Sequence, residues 1–223
     1  MSINWDAIFN PDLAVYAFPR ILQGLPFTLS LSLIGFGLGT FFGFFVALMR
    51  MSHVRALKGL AMFHISLMRG IPLMVLLFFI YFGLPFMGIQ LDAISASIIA
   101  FTFMSSAYIS EVIRSSLQAI DKGQWEAARA LGLRTPTIYL KIIIPQAVRI
   151  AVPPLSNVLL DMVKSTSLTA MITVPEMFNM AKQVGGAKSD YMTVYIEVAL
   201  IYWVICTCYA LAQTYLEKRL ASY

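Results

Sequence analysis

Charge is scarce in this chain. Aspartate, glutamate, lysine and arginine together make up 12% of its 223 residues, about half the share of an ordinary soluble domain. With 59% hydrophobic residues and a mean hydropathy of +0.79, a water-soluble globular fold is excluded. Cysteine is nearly absent. Cys206 and Cys208 stand two apart in an apolar run, a spacing that cannot close a disulfide on a helix or strand, and two thiols do not make a metal site. Apolar packing is the reading for both. The two histidines, His53 and His64, lack carboxylate or cysteine neighbours, so solvent or interface packing is favoured over metal binding. Catalytic signatures are missing too: there is no H-E-x-x-H, G-x-S-x-G or carboxylate cluster. Lys164-Ser165-Thr166 ends like a phosphate loop, but positions 157–163 hold no glycine to bring backbone amides around a phosphate. The chain is therefore expected to bind no ATP, metal or other cofactor and to have no catalytic residue.

Long apolar runs are what the sequence has in quantity. There is room for about five spans of roughly 20 residues each. Residues 1–24 are mixed, with Trp5, Asp6, Pro11, Asp12 and Arg20, and lack the layout of a secretory signal. The first span covers about 25–49, where Gly35, Gly37, Gly39 and Gly43 offer a small-residue face for close helix packing. A second span runs over about 59–83, and Arg69-Gly70-Ile71-Pro72 inside it predicts a bend that frees backbone groups. The third, about 93–113, is rich in hydroxyls and carries Tyr108 and Glu111 on one face with Met104. The fourth covers about 147–174 and the fifth about 191–211. The expectation is an all-α integral membrane protein with five transmembrane helices: a segment 1–24, a membrane domain 25–216 and a tail 217–223.

Counting cations sets the orientation. Arg50, Arg55, Lys58, Arg114, Lys122, Arg129, Arg134, Lys141, Arg149, Lys218 and Arg219 fall on one side, against Arg20, Lys182 and Lys188 on the other. The positive-inside rule then puts the N-terminus outside and the C-terminus in the cytoplasm. The net charge of +5 marks a membrane side and does not call for nucleic acid.

The most informative stretch is the basic, cytoplasmic one between the third and fourth spans, about 115–146. Residues 124–131 are good helix formers, and Gly132 stands where a helix end favours a left-handed residue. Thr135-Pro136 fits a new helix start with Thr135 as cap, and Pro145 is expected to end that helix. Glu126-Ala127-Ala128, then Gly132, then Ile144-Pro145 at twelve residues beyond the glycine, closely resembles the EAA loop of ABC-importer permeases. An ordinary amphipathic hairpin is the bland alternative.

The resemblance covers nearly the whole chain from about residue 25. Arg69-Gly70-Ile71-Pro72-Leu73 is similar to the amino-acid branch, and Ala107-Tyr108-Ile109-Ser110-Glu111 with Arg114 resembles a family pattern leading into the EAA loop. Residues 120–128, Pro153-Pro154-Leu155-Ser156-Asn157 and Val174-Pro175-Glu176 look most like cystine permeases. Where that branch has Lys-Asp-Thr-Ser-Leu, this chain has Lys164-Ser165-Thr166-Ser167-Leu168, with Asp161 one turn earlier.

The resemblance implies a bacterial inner-membrane, multi-pass permease giving alternating access. It implies a second permease (the same or a related chain), ATPase subunits that hold ATP and Mg, an extracytoplasmic solute-binding protein and a polar amino-acid substrate. L-cystine leads among substrates, with arginine, histidine and glutamine as alternatives. Gln124, Glu126, Ala127, Ala128, Gly132 and Pro145 are the expected ATPase-coupling residues. A substrate path is expected from Tyr108, Glu111, Asn157, Asp161, Lys164, Thr166 and Ser167. Asn157, Asp161 and Lys164 recur at helical spacing on one face, and intramembrane charges mark pathways or structural pairs. An intramembrane enzyme or a scaffold protein is the more distant alternative.

Overall fold

The computed structural model describes residues 8–221, so Trp5, Asp6 and the last two residues of the expected tail lie outside the described residues. The described residues are helical without strands, as ten α-helices: α1 (Pro11–Leu22), α2 (Leu25–Met51), α3 (Arg55–Gly70), α4 (Leu73–Phe78), α5 (Ala93–Gln118), α6 (Lys122–Ala130), α7 (Thr135–Ile138), α8 (Ile144–Ser165), α9 (Met177–Lys188) and α10 (Tyr191–Ala221). Four helical stretches among them are long and apolar enough to cross a membrane: Pro11–Met51, Ala93–Gln118, Thr135–Ile172 and Tyr191–Arg219. Arg55–Gly70 and Leu73–Met87, bent by 104° at the break between them, pass the same test only as a pair, and counting the pair as one span brings the candidates to five. The break falls at Ile71-Pro72, where the bend was expected. After it the chain loosens and then tightens, with a π-turn over Phe79–Gly83 and a 3₁₀ turn over Leu84–Met87.

Two compact units divide the chain. The first comprises the chain up to Gly35, Ile71–Phe101 and Leu160–Ala210. Its core joins α1, α9 and the start of α10. Asn10 caps α1 by accepting the Leu13 amide at 3.1 Å, and Pro11 occupies the first turn, where its missing N–H is not needed. Leu13, Ala17 and Ile21 then fall on one face, buried with Met177, Ala181, Val184, Val194 and Val198. The segment 1–24 thus contains an amphipathic helix that contributes core side chains. Gly24 packs on the backbone at Glu176 and Met177, too close for any Cβ. Gly35 rests on Phe101 and Met162 in the same unit.

Phe36–Gly70, Thr102–Leu159 and the chain from Leu211 onward form the second unit. Here Gly39 meets Ser105, and Gly43 meets Ile109 and the Ser106 carbonyl. Three of the four glycines expected to form a packing face therefore do so, each against a named neighbour. Gly37 has nothing near it and is a correction: it points away from that face. The cysteines are a second correction. Cys206 is half-exposed and Cys208 exposed, because α10 turns much of its apolar surface outward.

Candidate functional site

The basic stretch folds as an elbow inside the second unit. Asp121 starts it by accepting the Gly123 amide at 2.6 Å. The α6 helix ends in a Schellman turn. The Gly132 amide donates to the Arg129 carbonyl at 2.9 Å and the Leu133 amide to the Ala128 carbonyl at 3.2 Å, with Gly132 at φ +69°. The chain then enters α7 with Arg134 at the cap position, and Thr135 and Pro136 already helical. The expected cap residue, Thr135, is therefore one position inside the helix, and Pro136 still fills the first turn. Pro145 needs a larger correction. It does not end the helix, because Tyr139–Ile143 relaxes into a π-turn and α8 opens at Ile144. The wider turn absorbs a ring that lacks an N–H and would clash in a regular helix.

A small core holds the two arms of the elbow together: Ile120, Ala128, Ile138, Ile143 and Ala147, flanked by Leu117, Trp125 and Ile142. Trp125 meets Tyr139 edge-on at 5.0 Å between centroids. Gln124 accepts a hydrogen bond from Gln146 at 3.2 Å. Of the expected coupling residues, Gln124, Glu126, Ala127, Gly132 and Pro145 are exposed, whereas Ala128 is 2% exposed. Ala128 therefore supports the elbow from within, and the outward small side chain is Ala127. Leu131, 78% exposed, adds an apolar side chain that sequence reasoning did not single out.

The expected substrate-path residues divide between the units. In the second unit, Glu111 is clamped by two guanidiniums, Arg50 at 3.1 Å and Arg114 at 2.9 Å. Tyr108 is partly exposed, with the Arg69 guanidinium 5.5 Å from its ring centre. Asn157 is exposed and accepts from Gln213 at 3.3 Å. In the first unit, Asp161 and Lys164 form an ion pair of 2.8 Å with side chains 72% and 53% exposed. Both ends are open in the single chain and are not packed against its own side chains. Ser167 donates to the Lys164 carbonyl at 2.8 Å. Thr166 is buried and donates to the Val163 carbonyl, its hydroxyl lying 3.3 Å from that of Tyr202. Thr166 thus belongs to a structural network and is not presented beside the charges.

Sequence reasoning missed the centre of that network. Glu176, fully buried, accepts from the amides of Phe178 and Asn179 at 2.9 and 2.7 Å, capping α9. It also accepts the Tyr202 hydroxyl at 2.8 Å. The available signal was Pro175-Glu176 preceding a helical run; its partner in α10, 26 residues away, left no local trace. Burial pushes the Glu176 carboxyl above the ordinary glutamate value, and the hydrogen bonds only partly offset this.

Up to five candidate spans, with a capped elbow leading into the apolar stretch Thr135–Ile172, describe a multi-pass membrane protein. The model of the binding-protein-dependent transport system inner membrane component family matches residues 39–222, and the chain belongs to that family. It is similar to the probable amino-acid ABC transporter permease protein YckA of Bacillus subtilis (strain 168), 49% identical over 222 residues, covering 100% of this chain and 98% of the relative. It is also similar to the L-cystine transport system permease protein TcyB of the same organism, 39% identical over 223 residues, covering 100% and 93%. Among solved structures, the crystal structure of an amino acid ABC transporter with histidines superposes with a TM-score of 0.89 at 33% identity, covering 98% of this chain and 100% of that one. The chain is accordingly a multi-pass protein of the bacterial inner membrane and a permease component, not an enzyme; ATP hydrolysis resides in a separate subunit.

Proposed function

We propose that this chain is the permease of an ATP-driven importer of polar amino acids, with L-cystine as the leading substrate. The single observation that carries the coupling is the elbow. Glu126, Ala127 and Leu131 are presented outward over a core that fixes α6 to α7 and α8. A small, charge-rimmed surface of this kind suits a cleft on an ATPase subunit, and a rigid elbow passes the movement of that subunit into α8. Because α8 bears Ala147 of the elbow core and also Asp161 and Lys164, a shift of this helix changes what those charges face. Repeated with ATP turnover, such shifts give alternating access. A second permease subunit and an extracytoplasmic solute-binding protein complete the assembly, and ATP and Mg are held by the ATPase.

The substrate class follows from the ion pair. A zwitterion offers its carboxylate to Lys164 and its ammonium to Asp161, exchanging one 2.8 Å pair for two. Similarity to an L-cystine permease along the whole chain supports cystine. A second reading is import of arginine, histidine or glutamine; the name of the 49% identical relative specifies only an amino acid and does not single out cystine. Uptake of labelled cystine, arginine, histidine and glutamine by cells with and without this chain decides between them. The reading predicts loss of cystine uptake, and unchanged uptake of all four would refute it.

A further inference from the structure

Two cavities lie in the second unit, among α2, α3 and α5, and their linings are neighbours along the chain. One, of about 340 Å³, is apolar and is lined by residues that include Phe42, Phe45, Met49, Leu60 and Phe103. The other, of about 430 Å³, is lined by Arg50, Lys58 and Arg114 among others. Their linings are consecutive in the chain at Met49 and Arg50 on α2, and at Ala61 and Met62 on α3. On α2 and α5 the apolar lining lies toward the middle of the helix and the basic lining toward its end. From Arg50 to Phe42 the helix climbs about 12 Å at 1.5 Å per residue.

The charges are not balanced locally. Arg50 and Arg114 share one carboxylate, that of Glu111. Lys58 is exposed and makes no ion pair among the described residues. Three cations against one carboxylate leave an excess of two positive charges on the same helices, α2, α3 and α5, that carry the apolar lining. Nothing in the described mechanism uses either cavity.

We propose that the two cavities together hold one anionic glycerophospholipid, its phosphate on Arg50, Lys58 and Arg114 and an acyl chain along Phe42, Phe45 and Leu60. A phosphate accepts several N–H donors at once, and basic pockets between transmembrane helices favour anionic headgroups for this reason. A soluble phosphate would satisfy the cations and leave the apolar cavity unused. A zwitterionic lipid would fill the cavity and bring its own ammonium to a positive pocket. Only an anionic lipid matches both halves.

The test uses the full chain in bilayers with a tryptophan reporter, Phe45→Trp, read against the parent chain to subtract the native tryptophans. Phe45 is 47% exposed, so the larger ring is accommodated outward. Phosphatidylglycerol with brominated tails is expected to quench the reporter at a mole fraction about thirtyfold lower than brominated phosphatidylcholine, the effect of two excess basic charges near an anionic headgroup. Adding Lys58→Gln, which removes one of the two, is expected to cut that preference to about fivefold, and millimolar inorganic phosphate to leave it intact. Equal quenching by the two lipids, or a preference indifferent to Lys58→Gln, overturns the proposal. Loss of the preference in inorganic phosphate also overturns it and makes the cations a free-phosphate site. Should Phe45→Trp fail to fold, the lipid retained by the parent chain in detergent is measured by mass spectrometry. Enrichment of phosphatidylglycerol that Lys58→Gln lowers supports the site, and a retained composition equal to the membrane's refutes it.

Discussion

The amide of Leu133 donates to the carbonyl of Ala128 across 3.2 Å, and Ala128 is itself buried under the turn this bond closes. The same residue therefore supplies the carbonyl that accepts the outer bond of the turn and a side chain of the elbow core. The geometry works only because Gly132 between them takes φ +69°.

Gly132→Val is expected to strain that turn by about 1–2 kcal/mol, because a Cβ resists the left-handed region and a β-branched side chain resists it more. Gly132→Asn should be much milder, since Asn tolerates that region. No neighbouring atom lies near Gly132, so the cost is one of backbone conformation and not of crowding. ATP-coupled uptake of the two variants, normalised to membrane content, checks this; equal uptake would show that the turn does not matter for coupling.

Tyr202→Phe removes the hydroxyl that Glu176 accepts, leaving a buried carboxyl short of one partner. A loss of about 1–3 kcal/mol is expected, read as a lower melting temperature of the purified chain. The pH dependence at Glu176 has a definite sign. Its value in the folded chain is raised by burial, so its contribution is fully present below the unfolded glutamate value and is lost as pH rises through the folded one. The stability difference between the parent chain and Glu176→Gln should shift against the parent over that rise. A difference that is flat, or that shifts in the parent's favour, would contradict the assignment.

Asp161→Lys combined with Lys164→Asp keeps an ion pair at the same spacing and reverses its polarity. If the two charges read the two ends of an amino acid, the double variant folds and inserts but transports poorly. Wild-type uptake and substrate preference in the swap would mean that the 2.8 Å pair is structural.

Orientation is tested with a reporter active only outside the cytoplasm. It should work when fused after Leu91 or between Gly185 and Gly186, and stay silent after Met51, Leu133 or the C-terminus. The motive is the cation asymmetry. Activity after Leu133 with silence after Gly185 would invert the topology.

Much of this was legible in the residues, and the gaps have physical causes. Gly132, the break at Ile71-Pro72 and the five apolar stretches are local matters of backbone permission and hydropathy, which a sequence carries openly. Pro145 misled because a π-turn can absorb a proline, and nothing in the neighbouring side chains announces the wider turn. Ala128 and Ala127 are indistinguishable by type; only packing against Ile138 and Ile143 separates the inward from the outward one. The Glu176–Tyr202 bond joins residues with no periodic relation, and Gln213 reaches Asn157 across 56 positions. The polar helix face was visible from spacing, but the pairing of Glu111 with Arg50 and Arg114 required the fold.

The most direct test of the coupling elbow is co-purification of the ATPase with tagged chain, comparing the parent with Ala127→Trp. Because Ala127 is exposed, the substitution should leave the elbow core and the melting temperature unchanged while obstructing the docking face. The account predicts that the parent brings the ATPase with it and that Ala127→Trp, equally abundant in the membrane, does not. Undiminished association in Ala127→Trp, or no ATPase with the parent, would contradict it.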